Sequence, residues 1–568
     1  MTGRRGSTAV DVAARDTPLG RTPLGRTATG HPYPTVSARF TPLVARSSRR
    51  AGWLGPLAVA AVALLLRLWG LGQPDEITFD ETYYAKDAWS LEQFGYVRNY
   101  VDKADKQINA GQLTGLLADG PAQIVHPEVG KWMIAVGIRL FGMDPFGWRV
   151  AAAVTGALTV LVLCRAVRRL SGSTLVGCLA GLLLGLDGLH LVMSRTALLD
   201  GFLAFWLVCA PACLLADRDW GRQRLLRLQQ RSASAADLPP SGFGPVRGML
   251  LRPWRLAAGV CFGLAVGTKW NGIVVLAAFG LLTWAWDAGA RRAIGVSWAW
   301  LRAAVVDAVP ALVSLVGVAF VVYVATWSGW LVHHDLMADA YAEPYQWGSY
   351  ASAEPASVAG ETSQALRDLW NYHEQVWRFH TVDVVRTTRD DPHPYESDPR
   401  GWLLLNRPVG IDLQGDVPAG KRGCTADGDG TCLRQVLALG NPVVWWAGAL
   451  ALLASVWMWW ARRDWRFGVP LVGVAATWLP WFRFDERSIF SFYAVVVIPF
   501  TCIALALLLG LLLGRVDASR LRRSAGVSVI GIVLLAAIAA AIFFWPIWTD
   551  QLIPETDWQQ RMWLDRWI

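Results

Sequence analysis

Residues 524–546 read SAGVSVIGIVLLAAIAAAIFFWP, a run with no charged side chain. As a helix it would rise about 35 Å, enough for a hydrocarbon core of about 30 Å. Inside lipid no water is at hand for backbone N–H and C=O groups, so a run of this kind is read as a helix that satisfies them internally. Ten further apolar blocks read the same way, at about 52–72, 149–167, 174–193, 200–216, 254–270, 272–287, 305–330, 441–460, 468–482 and 488–513. The expected fold class is therefore an all-α polytopic membrane protein with about 11 transmembrane helices. Composition agrees, with 54% hydrophobic and only 17% charged residues in a chain of 568. These values exclude a soluble multidomain enzyme and a disordered chain, and eight cysteines in such a length are too few for a disulfide scaffold.

Where the charges sit orients the spans. With the N-terminus placed in the cytoplasm, Lys and Arg are more than twice as dense in the inner segments as in the outer ones, as at Arg165, Arg168 and Arg169, and at Arg515, Arg520, Arg522 and Arg523. That asymmetry is the positive-inside pattern. The formal charge of +9 is thus a topology signal and not a nucleic-acid patch. Residues 1–51, rich in Arg, Pro, Thr and Gly with a doubled Thr-Pro-Leu-Gly-Arg at 17–26, read as a disordered cytoplasmic tail. The remainder divides into a transmembrane region at 52–330 carrying a first large outer loop at 73–148, a second outer loop at 331–440, transmembrane helices at 441–546, and an extracytoplasmic tail at 547–568. Non-membrane mass on the outer side points to work done there, where nucleotide-activated substrates are absent and lipid-linked ones are present.

Chemistry-bearing residues cluster at the outer ends of the spans. Asp80 and Glu81 open an amphipathic stretch in the first loop, either as a helix cap and a dipole-favouring acid or as a base with a positioning neighbour. Lys131 and Arg149, at the end of that loop, either hold a phosphate or snorkel to headgroups, and His126 on its own reads as structural. Arg195 and Asp200 flank the next outer turn, either as a mutual clip or with Arg195 facing an anionic group. Lys269 stands at a third turn, and Arg483, Asp485, Glu486 and Arg487 at a fourth. Asp187 lies inside a span, where an acid is costly and is usually paired or functional. Histidines 333, 334, 373, 380 and 393 show no zinc-ligand spacing, so no metal is assigned. Cys424 and Cys432 flank a short polar turn on the oxidising side and are expected to form a local disulfide.

Taken together, Phe79-Asp80-Glu81, His126-Pro127-x-x-Gly130-Lys131, Ser194-Arg195-x-x-Leu198-Leu199-Asp200 and Gly263-Leu264-Ala265-x-Gly267-Thr268-Lys269-Trp270 resemble the polyprenyl-phosphate-mannose protein O-mannosyltransferases of glycosyltransferase family 39. His393-Pro394-Tyr395-Glu396-Ser397 and Gly401-Trp402 are similar to the bacterial, actinobacterial-type members. The resemblance covers about 52–500. It implies a GT-C fold at the cell membrane and inverting transfer of mannose from polyprenyl-phosphate-mannose to Ser or Thr of an exported polypeptide. Membrane lipid and the protein-export machinery are further partners, and no cofactor is implied. It places the catalytic carboxylate in the pair Asp80 and Glu81; beside it, the residues themselves make Lys131, Arg149 and Arg195 the phosphate candidates, with Asp200, Lys269 and His126 as further substrate-binding candidates. Two departures stand out. The second outer loop is too short for the β-trefoil domain of the eukaryotic enzymes, and a late His-Tyr-Leu-Pro-like stretch reads Ser491-Phe492-Tyr493-Ala494. The rival readings are a GT-C enzyme for another sugar or acceptor, and a secondary transporter, which would want matching halves that the chain lacks.

Overall fold

The computed structural model describes residues 50–233, 242–347, 358–391, 393–484, 486–514 and 518–568. The expected tail up to residue 49, Asp485 and Arg515 lie outside the described residues. The chain is mostly helical. It begins with α1 (Ala51–Leu68), then the first loop with α2 (Glu81–Phe94), β1 (Arg98–Tyr100), β2 (Leu117–Pro121) and α3 (Val129–Phe141). Next come α4 (Pro145–Ser171), α5 (Thr174–Gly185), α6 (Gly188–Met193), α7 (Leu199–Ala233), α8 (Pro253–Val266), α9 (Gly272–Ala293) and α10 (Ala308–Thr326). The second loop holds α11 (Val358–Arg378), β3 (Val409–Pro418) and β4 (Thr431–Ala438). The chain closes with α12 (Pro442–Trp460), α13 (Gly468–Trp478), α14 (Ile498–Leu513), α15 (Arg520–Trp548) and β5 (Ile553–Pro554).

Six of these, α4, α7, α9, α10, α12 and α15, are long and apolar enough to cross a membrane, and α1, α5, α8 and α14 are shorter apolar helices. Local signals set their ends. Helix α4 starts at Asp144, whose side chain accepts from the Gly147 N–H, has Pro145 in its first turn, and stops at Gly172 with a φ of 73°. The apolar block at 174–193 is broken between α5 and α6, because Asp187 caps α6. Its carboxylate accepts from the backbone of His190 and Asn441 at 2.9 Å and from Trp445 Nε1 at 2.7 Å. The acid that a transporter would want is thus a bracket between α6 and the start of α12.

An all-α class misses two small antiparallel sheets, β1–β2 and β3–β4–β5. Their strands lie in loop and tail segments too short to read as spans. Cys424 and Cys432 form a disulfide at the far end of the β3–β4 hairpin. The sheets help gather both loops and the tail on one face. The Tyr372 hydroxyl accepts from the Ile124 N–H and donates to the Ile124 carbonyl. Gln414 donates to Glu76 at 2.8 Å, and β5 pairs with β4 through Leu433 and Ile553.

Candidate active site

The first turn of α2 positions the acidic pair. Asp80 occupies the N-cap position, yet its side chain makes no cap hydrogen bond. The capping expectation for Asp80 is therefore corrected: the reach-back is made by Glu81, whose Oε2 accepts from the Thr78 N–H at 3.2 Å and the Thr78 hydroxyl at 3.1 Å. Between them Phe79 adopts a φ of 48°, unusual for a residue with a side chain, and its ring meets Phe492 edge-on.

Adjacent on the chain, the two carboxylates have opposite surroundings. Glu81 is fully buried. It receives Arg149 Nε at 2.8 Å and Nη2 at 2.7 Å, and the Ala197 N–H at 2.9 Å. Arg149 gives its remaining donors to the carbonyls of Pro74 and Glu76 at 2.6 and 2.9 Å, with a longer contact to Leu71. Both groups are consumed in fastening the first loop to α4 and to the turn before α7. This removes Arg149 from the phosphate set and leaves Glu81 no oxygen free to hold an acceptor.

Asp80 is half-buried, and burial pushes its carboxyl up to about 6. The charges it feels are Lys269, which favours the ionised form, and Asp200, which opposes it. Those two are themselves paired, with Lys269 Nζ donating to both Asp200 oxygens at 3.0 and 2.8 Å. The same ammonium stands 4.6 Å from the centre of the Tyr493 ring. Lys269 and Asp200 thus meet beside Asp80, and Asp200 has Lys269, not Arg195, as its partner. Arg195 instead satisfies the carbonyls of Arg67, Trp69 and Gly70 at the end of α1, at 2.8, 2.5 and 3.0 Å. Neither the clip nor the anion-facing expectation for Arg195 survives that geometry. Lys131 is buried against Asp87 at 2.9 Å.

A wall of aromatic and imidazole rings completes the site. His126 stacks on His380 at 5.2 Å between centroids. His380 Nε2 bonds the Val125 carbonyl at 2.9 Å, which leaves Nδ1 to accept from Arg487 Nη1 at 3.3 Å. Burial holds His380 down at about 4, so the ring is neutral. Arg487 Nε is buried without a partner, and among the described residues no carboxylate pairs with this guanidinium. Trp270 stacks on His373 and donates from Nε1 to the Tyr323 hydroxyl at 2.8 Å. Among the described residues no group of three or more His, Cys, Asp or Glu side chains is gathered as a metal site. Sequence reading did not group Tyr493, His380 or Arg487 with Asp80. Their signals were a cation at the fourth turn, the Ser491-Phe492-Tyr493 stretch and, for His380, a place among histidines without zinc-ligand spacing.

A family model described as dolichyl-phosphate-mannose-protein mannosyltransferase matches residues 57–232, and one described as the C-terminal four-transmembrane region of protein O-mannosyltransferase matches residues 365–567. A polyprenol-phosphate-mannose–protein mannosyltransferase of Mycolicibacterium smegmatis strain MKD8 is 36% identical over 527 residues, 91% of this chain and 93% of its own. The chain belongs to the protein O-mannosyltransferase family. A Mycobacterium tuberculosis relative of the same name is 34% identical over 536 residues, 93% of this chain and 94% of its own. The Saccharomyces cerevisiae protein O-mannosyltransferase Pmt1–Pmt2 complex bound to the sugar donor shares the fold, with a TM-score of 0.64 at 15% identity over 93% of this chain and 94% of that one. Within this O-mannosyltransferase the two matched regions divide the site. Asp80, His126 and Asp200 fall in the first, and His380, Arg487 and Tyr493 in the second.

Proposed function

We propose that this enzyme moves mannose from polyprenyl-phosphate-mannose to the hydroxyl of Ser or Thr in an exported polypeptide, at the outer face of the cell membrane and with inversion. Asp80 is the base. A serine hydroxyl is a weak nucleophile, so a carboxylate must take its proton as oxygen attacks the anomeric carbon. The new C–O bond forms as the bond from that carbon to the phosphate oxygen breaks, and the polyprenyl phosphate leaves with the electron pair. No covalent sugar–enzyme intermediate is needed for this single displacement. Lys269 and Arg487 carry the positive charge that the leaving phosphate calls for, and an arginine fork suits phosphate oxygens. Asp200 holds Lys269 in place, while Glu81, Arg149 and Arg195 keep the loop that carries Asp80 rigid. The observation that carries this reading is the Asp80 carboxyl, free of any capping bond and held at about 6 beside Lys269.

The topology that goes with it has about 11 crossings, an inner N-terminus and an outer C-terminus. The loop contacts and the β4–β5 pairing support it, because they set both loops and the tail on one face. The direct test is mannosylation of a Ser/Thr-rich peptide from labelled polyprenyl-phosphate-mannose by proteoliposomes of the purified protein. The expected product is the opposite anomer to the donor, made only when peptide and donor reach the loop face. Retained configuration, or no transfer, would remove the reading.

A further inference from the structure

One face of the β3–β4–β5 sheet gathers acids from three distant parts of the chain. In the paired strands β3 and β4, Asp412 stands opposite Val436, and Gln414 opposite Arg434. Residues directly opposite, and residues two apart on one strand, share a face of a sheet, so these four side chains emerge on the same side. Two acids from outside the hairpin join them there. Gln414 Nε2 holds Glu76 of the first loop at 2.8 Å. Arg434 Nη1 stands 3.8 Å from Oδ2 of Asp550, which lies in the turn between α15 and β5.

The acids outnumber the cations, and two of their oxygens are unspent. The Asp550 side chain is 1% exposed, and its Oδ1 is enclosed with no hydrogen-bond partner. Asp412 is half-buried, and its Oδ2 is likewise enclosed without a partner. Burial raises the proton affinity of both, and the neighbouring charges add to it: Asp412 and Asp75 act on Asp550, and Glu76 and Glu81 on Asp412. Two cations stand against these acids. Arg434 is too far from Asp550 for a hydrogen bond. Arg149 is already taken by Glu81 and by carbonyls of the first loop. Enclosed carboxylate oxygens that face other acids and no donor are costly until positive charge reaches them.

We propose that Asp412 and Asp550 are ligands of one hard divalent cation, calcium by preference, bound through the two unspent oxygens. Two carboxylates do not make a closed cage, in keeping with the absence of any three-ligand group among the described residues, and water fills the rest of the shell. Calcium suits carboxylates carried on separate segments, because it accepts about six to eight oxygens in flexible geometry, whereas magnesium demands a near-ideal octahedron. Glu76 and Asp75 add negative charge beside it. The ion joins the hairpin of the second loop to the tail, next to the point where Gln414 holds the first loop. The inference rests on the sheet and not on the transferase reading, and its test uses neither donor nor acceptor.

The test is equilibrium binding of radioactive calcium to the full-length protein in detergent, stripped beforehand with a chelator. One ion per chain should bind with a Kd of about 0.1–1 mM, the range of weak oxygen-ligand sites. Asp412→Asn and Asp550→Asn should each weaken binding by about tenfold or more, since ligand charge sets the affinity. Asp427→Asn, exposed near the disulfide end of the hairpin, should leave it unchanged. Magnesium should compete at least about tenfold more weakly. Melting is the second readout. In chelator, Asp550→Asn is relieved of a like charge and should melt no lower than the parent, whereas with calcium at about ten times Kd the parent should melt higher than the variant. No saturable binding, binding that both variants keep in full, equal competition by magnesium, or a parent whose melting calcium does not raise each overturns the proposal. Should Asp550→Asn fail to elute like the parent, Asp412→Asn decides alone.

Discussion

Two charged clusters at opposite ends of the helices obey opposite rules. At the end away from the two large loops, Asp217 and Asp287 alternate with Arg252 and Arg255. Arg252 gives 2.9 Å to Asp217 and 2.7 Å to Asp287, while Arg255 gives 3.1 Å and 2.6 Å. All four are nearly or wholly buried, and each charge has two opposite partners. At the loop end, Asp80 has no capping bond and a raised proton affinity, and among the described residues the guanidinium of Arg487 meets a neutral imidazole and no carboxylate. A closed cluster can hold helices together, because its fields are used up internally. An open one retains attraction for something that arrives. The contrast recurs within one helical turn, between Glu81 with every oxygen taken and Asp80.

The strongest way to break the comparison is to neutralise one acid of each kind. Asp80→Asn should lower transfer by about a thousandfold or more, the range for loss of a general base. Because ionising a buried carboxyl opposes folding, this variant should melt no lower than the parent at neutral pH, which thermal unfolding in detergent checks. Arg252→Met should do the reverse. It strands Asp217 and Asp287 with one cation, a loss of about 3–5 kcal/mol for a broken buried pair, while the molecules that stay folded keep their turnover number. Arg487→Ala should leave melting almost unchanged and lower kcat/KM for the donor by about ten- to a hundredfold, the worth of a charge-assisted hydrogen bond. Smallest is the effect of pH. The Asp80 carboxyl, raised to about 6, must be ionised to accept a proton, so rate should fall as pH drops through about 6, by about tenfold per unit well below it. A profile flat from pH 7 to 5 would take Asp80 out of the proton transfer.

The apolar runs showed in the sequence because a span needs nothing beyond its own residues to be recognised. Breaks within them did not show. Asp187 interrupts one block only because Asn441 and Trp445 come to meet it from more than 250 residues away. The motif at 79–81 drew attention to both acids, but which of them is open depended on Arg149 and Ala197 arriving at Glu81. Arg195 was misread for a similar reason: a rim cation advertises its charge, whereas its acceptors, carbonyls at 67–70, are invisible until the chain folds back. Local spacing did suffice for Cys424 and Cys432, eight residues apart.

The pairing of β5 with β4 has a bearing on biogenesis. Strand β5 lies at 553–554, and Trp567 donates from Nε1 to the Leu405 carbonyl, so the sheet closes only with residues that follow α15 in the chain. A nascent chain that has made only its helices already carries Asp80 yet lacks this latch between loop and tail. The sheet is then completed after the membrane helices have been made, not with the first of them.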